Sequence, residues 1–322
     1  MQVVRNDRAS DLEERPCGAP SSAATPAIET DGLTKVYGAM LAVDHLNLIV
    51  ERGEIFGFLG PNGAGKTTTM RMLLGLIRPT SGRARVLDLD VATQLPQLLA
   101  RTGAIIENPT FYPYLSGEDN LRAAARLSRV PDSNIGPILD LVDLTGASHR
   151  RFSTYSLGMK QRLAVGAALL ADPELLILDE PANGLDPAGI VEMRGLMKRL
   201  KEDGRTVLIS SHVLHEIEQI CDRIAILNHG RVVVQGKVND LLGAGAIEIR
   251  VDPADEAERV LRATPWIGGV TREGSRLRVT AGMERSADLT RVLADHALYV
   301  SELRPEERSL EQYFLDVTGE NS

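Results

Sequence analysis

At 322 residues, with 43% hydrophobic and 25% charged side chains, the chain has a globular composition and enough material for one large and one small domain. Its net charge of −8 argues against a nucleic-acid-binding surface, so no nucleic-acid partner is expected. Two distant cysteines, Cys17 and Cys221, build no disulfide framework and fit a reducing cytoplasm, and no run of about 18 apolar residues offers a membrane span.

The first residues, Met1 to Pro26, mix charges with Pro, Ser and Ala and lack the apolar core of a signal peptide. They read as a flexible tail over 1–27, with a partner-docking arm as the alternative. Segments 28–36 and 46–51 read as short strands. The apolar run 54–59 reads as a buried strand. It feeds Gly60-Pro61-Asn62-Gly63-Ala64-Gly65-Lys66-Thr67-Thr68, which fits G-x-x-x-x-G-K-[ST], and 69–74 after it reads as a helix. Glycines let the backbone turn several N–H groups toward one anion, and the helix N-terminus adds partial positive charge. Lys66 is therefore expected to reach the β- and γ-phosphates of a nucleotide, and Thr67 to place its hydroxyl on Mg²⁺. A glycine-rich turn matching by chance is the alternative, and both flanks speak against it.

Segments 83–88 and 103–107 read as further strands. From 116 to 171 the apolar spacing turns helical, as in 120–127 and 138–142, a helical subdomain inserted into an α/β core. The core resumes with strand 175–179, helix 188–201 and strand 206–210. Strands 222–227 and 231–235 form a hairpin around Asn228-His229-Gly230. Gly243-Ala244-Gly245 reads as a linker. Beyond it come strand 246–251, helix 254–263, hairpin 269–272 with 276–280, helix 286–295 and strand 298–303. That βαββαβ order predicts a small ferredoxin-like α+β module over 246–322, behind a main unit over 28–243. A closing helix, 310–317, carries Leu310, Tyr313, Phe314 and Val317 on one face. That face is expected to pack on the module's own sheet or on a second subunit.

Several motifs follow the loop in order. Tyr155-Ser156-Leu157-Gly158-Met159-Lys160-Gln161-Arg162 enters an apolar helix. Leu175-Leu176-Ile177-Leu178-Asp179-Glu180-Pro181 is a buried strand ending in two carboxylates. Asn183-Gly184-Leu185-Asp186-Pro187 and Thr206-Val207-Leu208-Ile209-Ser210-Ser211-His212 come next. At a strand end, successive residues diverge, so Asp179 can face a metal while Glu180 faces a γ-phosphate and its attacking water. A Glu that merely caps a turn is the alternative for Glu180. His215 lies three residues past His212, but no third ligand accompanies them, so a metal pair is rejected.

In these motifs the chain resembles the ATP-binding cassette (ABC) family, strongly over about 28–243. The resemblance implies a P-loop NTPase fold, ATP and Mg²⁺ as ligands, and Glu180 as the catalytic carboxylate. It implies that His212 contacts the γ-phosphate and that Tyr37 stacks on adenine. Ser156 and Gly158 match the signature loop, usually Leu-Ser-Gly-Gly-Gln, with departures at Leu157 and Met159; an ordinary N-cap at Ser156 is compatible with that role. In the family this loop meets ATP held by the opposite subunit, so the site would be shared across a head-to-tail dimer. Asp186 matches the loop that communicates across that dimer. Glu107 stands where most members carry a γ-phosphate-sensing glutamine, and a role in the metal shell is expected of it. Its context, 103–113, and the ending 307–319 resemble the branch of drug- and antibiotic-exporter cassettes.

The function implied is the ATPase subunit of an exporter of a drug, antibiotic or lipid-like substrate. It would sit at the cytoplasmic face of the membrane beside a separate integral-membrane permease. An importer subunit is one alternative. A soluble non-transport ABC ATPase is the other. Against it, the chain is acidic with a single cassette, and only about 90 residues without sustained heptads separate loop and signature.

Overall fold

The computed structural model describes residues 25–107, 110–242, 246–306, 310–311 and 313–314. The expected tail up to residue 24 and the linker Gly243-Ala244-Gly245 lie outside them. Ala27, read from sequence as tail, is buried and donates its N–H to the Val50 carbonyl at 2.7 Å.

Continuous apolar runs generate the central layer. β4 (Ile55–Leu59), β8 (Leu175–Asp179) and β9 (Thr206–Ser211) have nearly every residue buried, as strands covered on both faces require. With β7 (Thr102–Ile105), β10 (Arg223–Asn228) and β11 (Arg231–Lys237) they form a sheet in the order β11-β10-β4-β9-β8-β7. All its pairings are parallel except the β10–β11 hairpin. In-register pairing sets Leu59 opposite Ser211, and Asp179 opposite Ser210, so polar strand ends collect at one edge.

A second, antiparallel sheet contains β1 (Ile28–Tyr37), β2 (Met40–Leu46), β3 (Ile49–Val50), β5 (Ser81–Val86) and β6 (Leu89–Asp90). The strand expected over 46–51 shrinks to β3, and β2 takes its place. β2 escapes sequence reading because its pairing with β1 is interrupted by register shifts, which break the alternation a strand normally shows. α1 (Lys66–Leu73) lies against both β2 and β5, and a core containing Phe56, Phe58, Met70 and Leu73 fills the space between the sheets.

The helical insertion holds α3 (Gly117–Leu127), α4 (Ile135–Leu141) and α5 (Leu157–Leu169). Ser116 caps α3 by accepting the Asp119 N–H at 3.0 Å. α2 (Leu95–Leu99) precedes this block; α6 (Pro187–Glu202), α7 (Leu214–Glu218) and α8 (Val238–Leu242) follow it.

The last unit is β12 (Ala246–Val251), α9 (Ala254–Arg262), β13 (Gly269–Glu273), β14 (Arg276–Thr280), α10 (Ser286–Ala294) and β15 (Val300–Glu306). Its antiparallel strand order, β13-β14-β12-β15, is the ferredoxin-like arrangement anticipated from the βαββαβ sequence. Ile247, Ile249, Leu277, Val279, Leu261, Leu289 and Leu293 form a core separate from the others. One expectation is corrected. Leu310 is fully buried, and with Tyr313 and Phe314 it joins the core of the large unit, not the module's own. An amphipathic face requires cover, but it does not specify which neighbour supplies it.

Candidate active site

The loop 60–65 turns at the end of β4 into α1, and its glycines are dictated by close approach. Gly65 caps α1 at φ +106°, where an added Cβ would stand 2.6 Å from the Ala42 carbonyl oxygen. A Cβ on Gly60 would stand 2.4 Å from the Leu227 carbonyl. Lys66, buried, donates from Nζ to the Gly60 carbonyl at 2.6 Å and lies 3.4 Å from Glu180 Oε1. A cleft of about 450 Å³ opens over the loop, lined by residues 61–68, Met40, Leu41, Ala42, Glu180 and His229.

The carboxylates arrive from β8. Thr67 Oγ1 donates to Asp179 Oδ2 at 2.7 Å, which joins the first turn of α1 to the strand end. Glu180 has left-handed backbone, φ +51°, so its side chain diverges from that of Asp179. Its Oε2 lies 2.8 Å from His212 Nδ1, delivered by the end of β9. The Glu180 carboxylate is thus held between an ammonium and an imidazole, facing a loop built to hold an anion. These groups can bind a polyphosphate, orient its terminal group and accept a proton beside it.

Residues 43–183 match the profile of the ABC transporter family. The chain is 40% identical to the bacitracin transport ATP-binding protein BcrA of Enterococcus faecalis, over 91% of this chain and 96% of that one. It is 37% identical to the daunorubicin/doxorubicin resistance ATP-binding protein DrrA of Streptomyces peucetius, over 92% and 93% of the two chains. A solved ATP-binding subunit of an ABC transporter superimposes with TM-score 0.60 at 32% identity, over 67% of this chain and 91% of that one. This chain belongs to the ABC transporter ATP-binding family.

The cassette is accordingly an ATPase, and its fold is that of the family. Sequence reading missed one residue of the constellation. The Ser210 hydroxyl, fully buried, donates to Asp179 Oδ1 and accepts the Glu180 N–H at 2.9 Å. One side chain therefore fixes both carboxylate-bearing residues. Two serines closing an otherwise apolar buried strand were the available signal, since a buried hydroxyl needs a partner.

Other expected residues lie elsewhere. Ser156 caps α5, accepting the Met159 N–H at 3.2 Å, and Gly158 follows in its first turn. Leu157 packs toward Gly184, so the signature loop leans on the 183–187 loop. Asp186 caps α6 by accepting the Gly189 N–H at 3.0 Å. Neither Ser156, Gly158 nor Asp186 lines the cleft. Tyr37 ends β1 and pairs with Met40 across a tight turn, with Lys35 Nζ 5.0 Å above its ring. The cleft wall from that hairpin is Met40–Ala42, which sequence reading did not single out. Glu107 forms an ion pair with Arg71 at the surface and has no hydrogen bond to Thr67 or Asp179 among the described residues.

Proposed function

We propose that this cassette hydrolyses ATP to drive export of a drug, antibiotic or lipid-like substrate, acting as a head-to-tail pair on a separate integral-membrane permease at the cytoplasmic face of the membrane. The relatives named for bacitracin transport and daunorubicin resistance support the cargo class. The observation that carries the pairing is a divided site. Lys66, Thr67 and Glu180 line one cleft, with Asp179 bonded to Thr67 and His212 to Glu180, while among the described residues the exposed Ser156 and the helix N-terminus after it neither line the cleft nor bond to a residue that does. A second copy, turned head to tail, presents that N-terminus to the phosphates.

The oxygens of Thr67 and Asp179 suit Mg²⁺: a hard hydroxyl and a carboxylate, already in contact, at the foot of the phosphate loop. Thr67 and Asp179 would hold Mg²⁺ there, and the ion would supply charge neutralisation to the β- and γ-phosphates. Lys66 exchanges its carbonyl partner for phosphate oxygens. Glu180 orients the attacking water and accepts its proton, and His212 steadies Glu180 and the γ-phosphate. Tyr37 stacks on adenine. Glu107 would have to leave Arg71 to take a role beside the metal.

Two experiments test this reading. Affinity capture of the tagged chain from detergent-solubilised membranes of its host should co-purify one integral-membrane protein. Recovery of ribosomes or DNA instead would overturn the transport role. Ser156→Arg should abolish turnover yet leave ATP affinity within about twofold at low protein concentration. Equal loss of binding would contradict a shared site.

A further inference from the structure

The segment closing the described chain touches the helix that follows His212. The Leu310 N–H donates to Glu218 Oε2 at 3.2 Å, and Glu218 is the last residue of α7. Leu310 is fully buried in the core that includes Ile217 of α7, and Leu214 of α7, Tyr313 and Phe314 pack against the same core. α7 begins two residues after His212.

α7 cannot hold itself in place. It has five residues and no side-chain cap, and isolated helices shorter than about 12 residues are marginal in water. Its order must come from tertiary contacts. One anchor lies underneath: a Cβ on Gly57 would stand 2.5 Å from Ile217 Cγ2, so α7 rests directly on β4. A second lies at its end, where Gln219 pairs with Arg194 of α6. The third is the Leu310 segment. His212 is exposed, so the position of its ring depends on the backbone that carries it. Burial pushes the Glu216 carboxyl, also on α7, above its usual range, with Arg194, His212 and Glu180 among the charged groups that act on it.

We propose that Leu310, Tyr313 and Phe314 form a strap that fixes α7 and thereby sets His212 against Glu180, making them positioning residues for ATP hydrolysis. The proposal rests on Glu180 and His212 being the hydrolytic pair. The strap lies beyond β15 in the chain, so the small module and His212 are connected through it.

The test uses the full-length protein. Leu310→Ala should lower kcat about tenfold while KM for ATP and nucleotide affinity stay within about twofold. Glu218→Ala should lower kcat by a smaller factor in the same pattern, because it removes only the acceptor of the Leu310 N–H. Leu310→Met and Glu218→Gln, which keep apolar volume and acceptor, should restore kcat. Melting temperature is recorded for each variant, since burial makes Leu310→Ala destabilising in its own right. Unchanged kcat in folded Leu310→Ala and Glu218→Ala proteins would overturn the strap. So would a joint fall of kcat and ATP affinity that tracks melting temperature. Glu180→Gln serves as the control: if it turns over normally, the assignment of the hydrolytic pair fails instead.

Discussion

The central sheet and the module's sheet are both built from half a dozen strands or fewer, yet the cleft over the loop 60–65 belongs to the first alone. In the central sheet β4, β8 and β9 run parallel, so each strand ends at the same edge. Three chain segments distant in sequence thus deliver Lys66 and Thr67, Asp179 and Glu180, and Ser210 and His212 to one place. In the module every neighbouring pair is antiparallel, so successive strand ends alternate between edges. Its outward side chains pair with one another, as Glu248 does with Arg276 at 3.0 Å. Parallel order concentrates function, and antiparallel order disperses it.

Breaking the anion cradle should have the largest effect. Lys66→Ala removes a charged hydrogen bond worth up to about 3 kcal/mol, so ATP affinity should fall by about 100-fold and turnover should vanish. Nucleotide titration and phosphate release measure this; unchanged values would remove Lys66 from the site. Next is Glu180→Gln, which should keep ATP affinity while slowing hydrolysis by about 10²–10⁴. ATP should then accumulate on a closed dimer, visible by gel filtration with nucleotide. Wild-type turnover would move the proton-accepting role elsewhere.

Ser210→Ala sharpens the comparison, because Ser210 exists only where two parallel strand ends meet. Its loss leaves the Glu180 N–H without an acceptor and frees one oxygen of Asp179, at a cost of about 1–3 kcal/mol. kcat should fall by about 10- to 100-fold, with KM changed less. Ser210→Thr, which keeps the hydroxyl, should recover part of the rate. If alanine here is silent, the two carboxylates are positioned by their backbone alone.

Much of this was legible in the residues. The phosphate loop shows itself because its glycines answer to local geometry. Strands 175–179 and 206–210 show themselves because burial on both faces leaves an unbroken apolar run. Ser210 was not singled out, since a serine at a strand end resembles a cap until the neighbouring strand is in place. Met40–Ala42 were missed because a strand edge that faces a cleft is half exposed and carries no alternation. The docking of Leu310 on the large unit follows from a contact between residues 218 and 310, which helical spacing cannot encode.

The smallest effect on turnover should come from the module's own core. Leu277 is fully buried in β14, among side chains that belong to neither other core. Truncating such a leucine costs about 2–5 kcal/mol. That loss should fall on the module alone, because among the described residues the apolar cluster around Leu277 holds none from the large unit. The chain's single tryptophan makes the point measurable: Trp266 packs against the module core, with the Arg285 guanidinium 5.1 Å from its ring centre. Trp266 fluorescence should therefore report unfolding of the module specifically. In Leu277→Ala the fluorescence transition should move to lower temperature, while ATP affinity and kcat at temperatures below it stay within about twofold of wild type. Between the shifted transition and the melting of the cassette, ATP should still bind, since the loop 60–65 and every residue lining the cleft over it lie in the large unit. Hydrolysis in that interval should decline only as far as the Leu310 segment loosens with the strand that leads to it. A simultaneous loss of ATP binding and module fluorescence would mean that the two units fold as one, and that the separation of their cores carries no energetic independence.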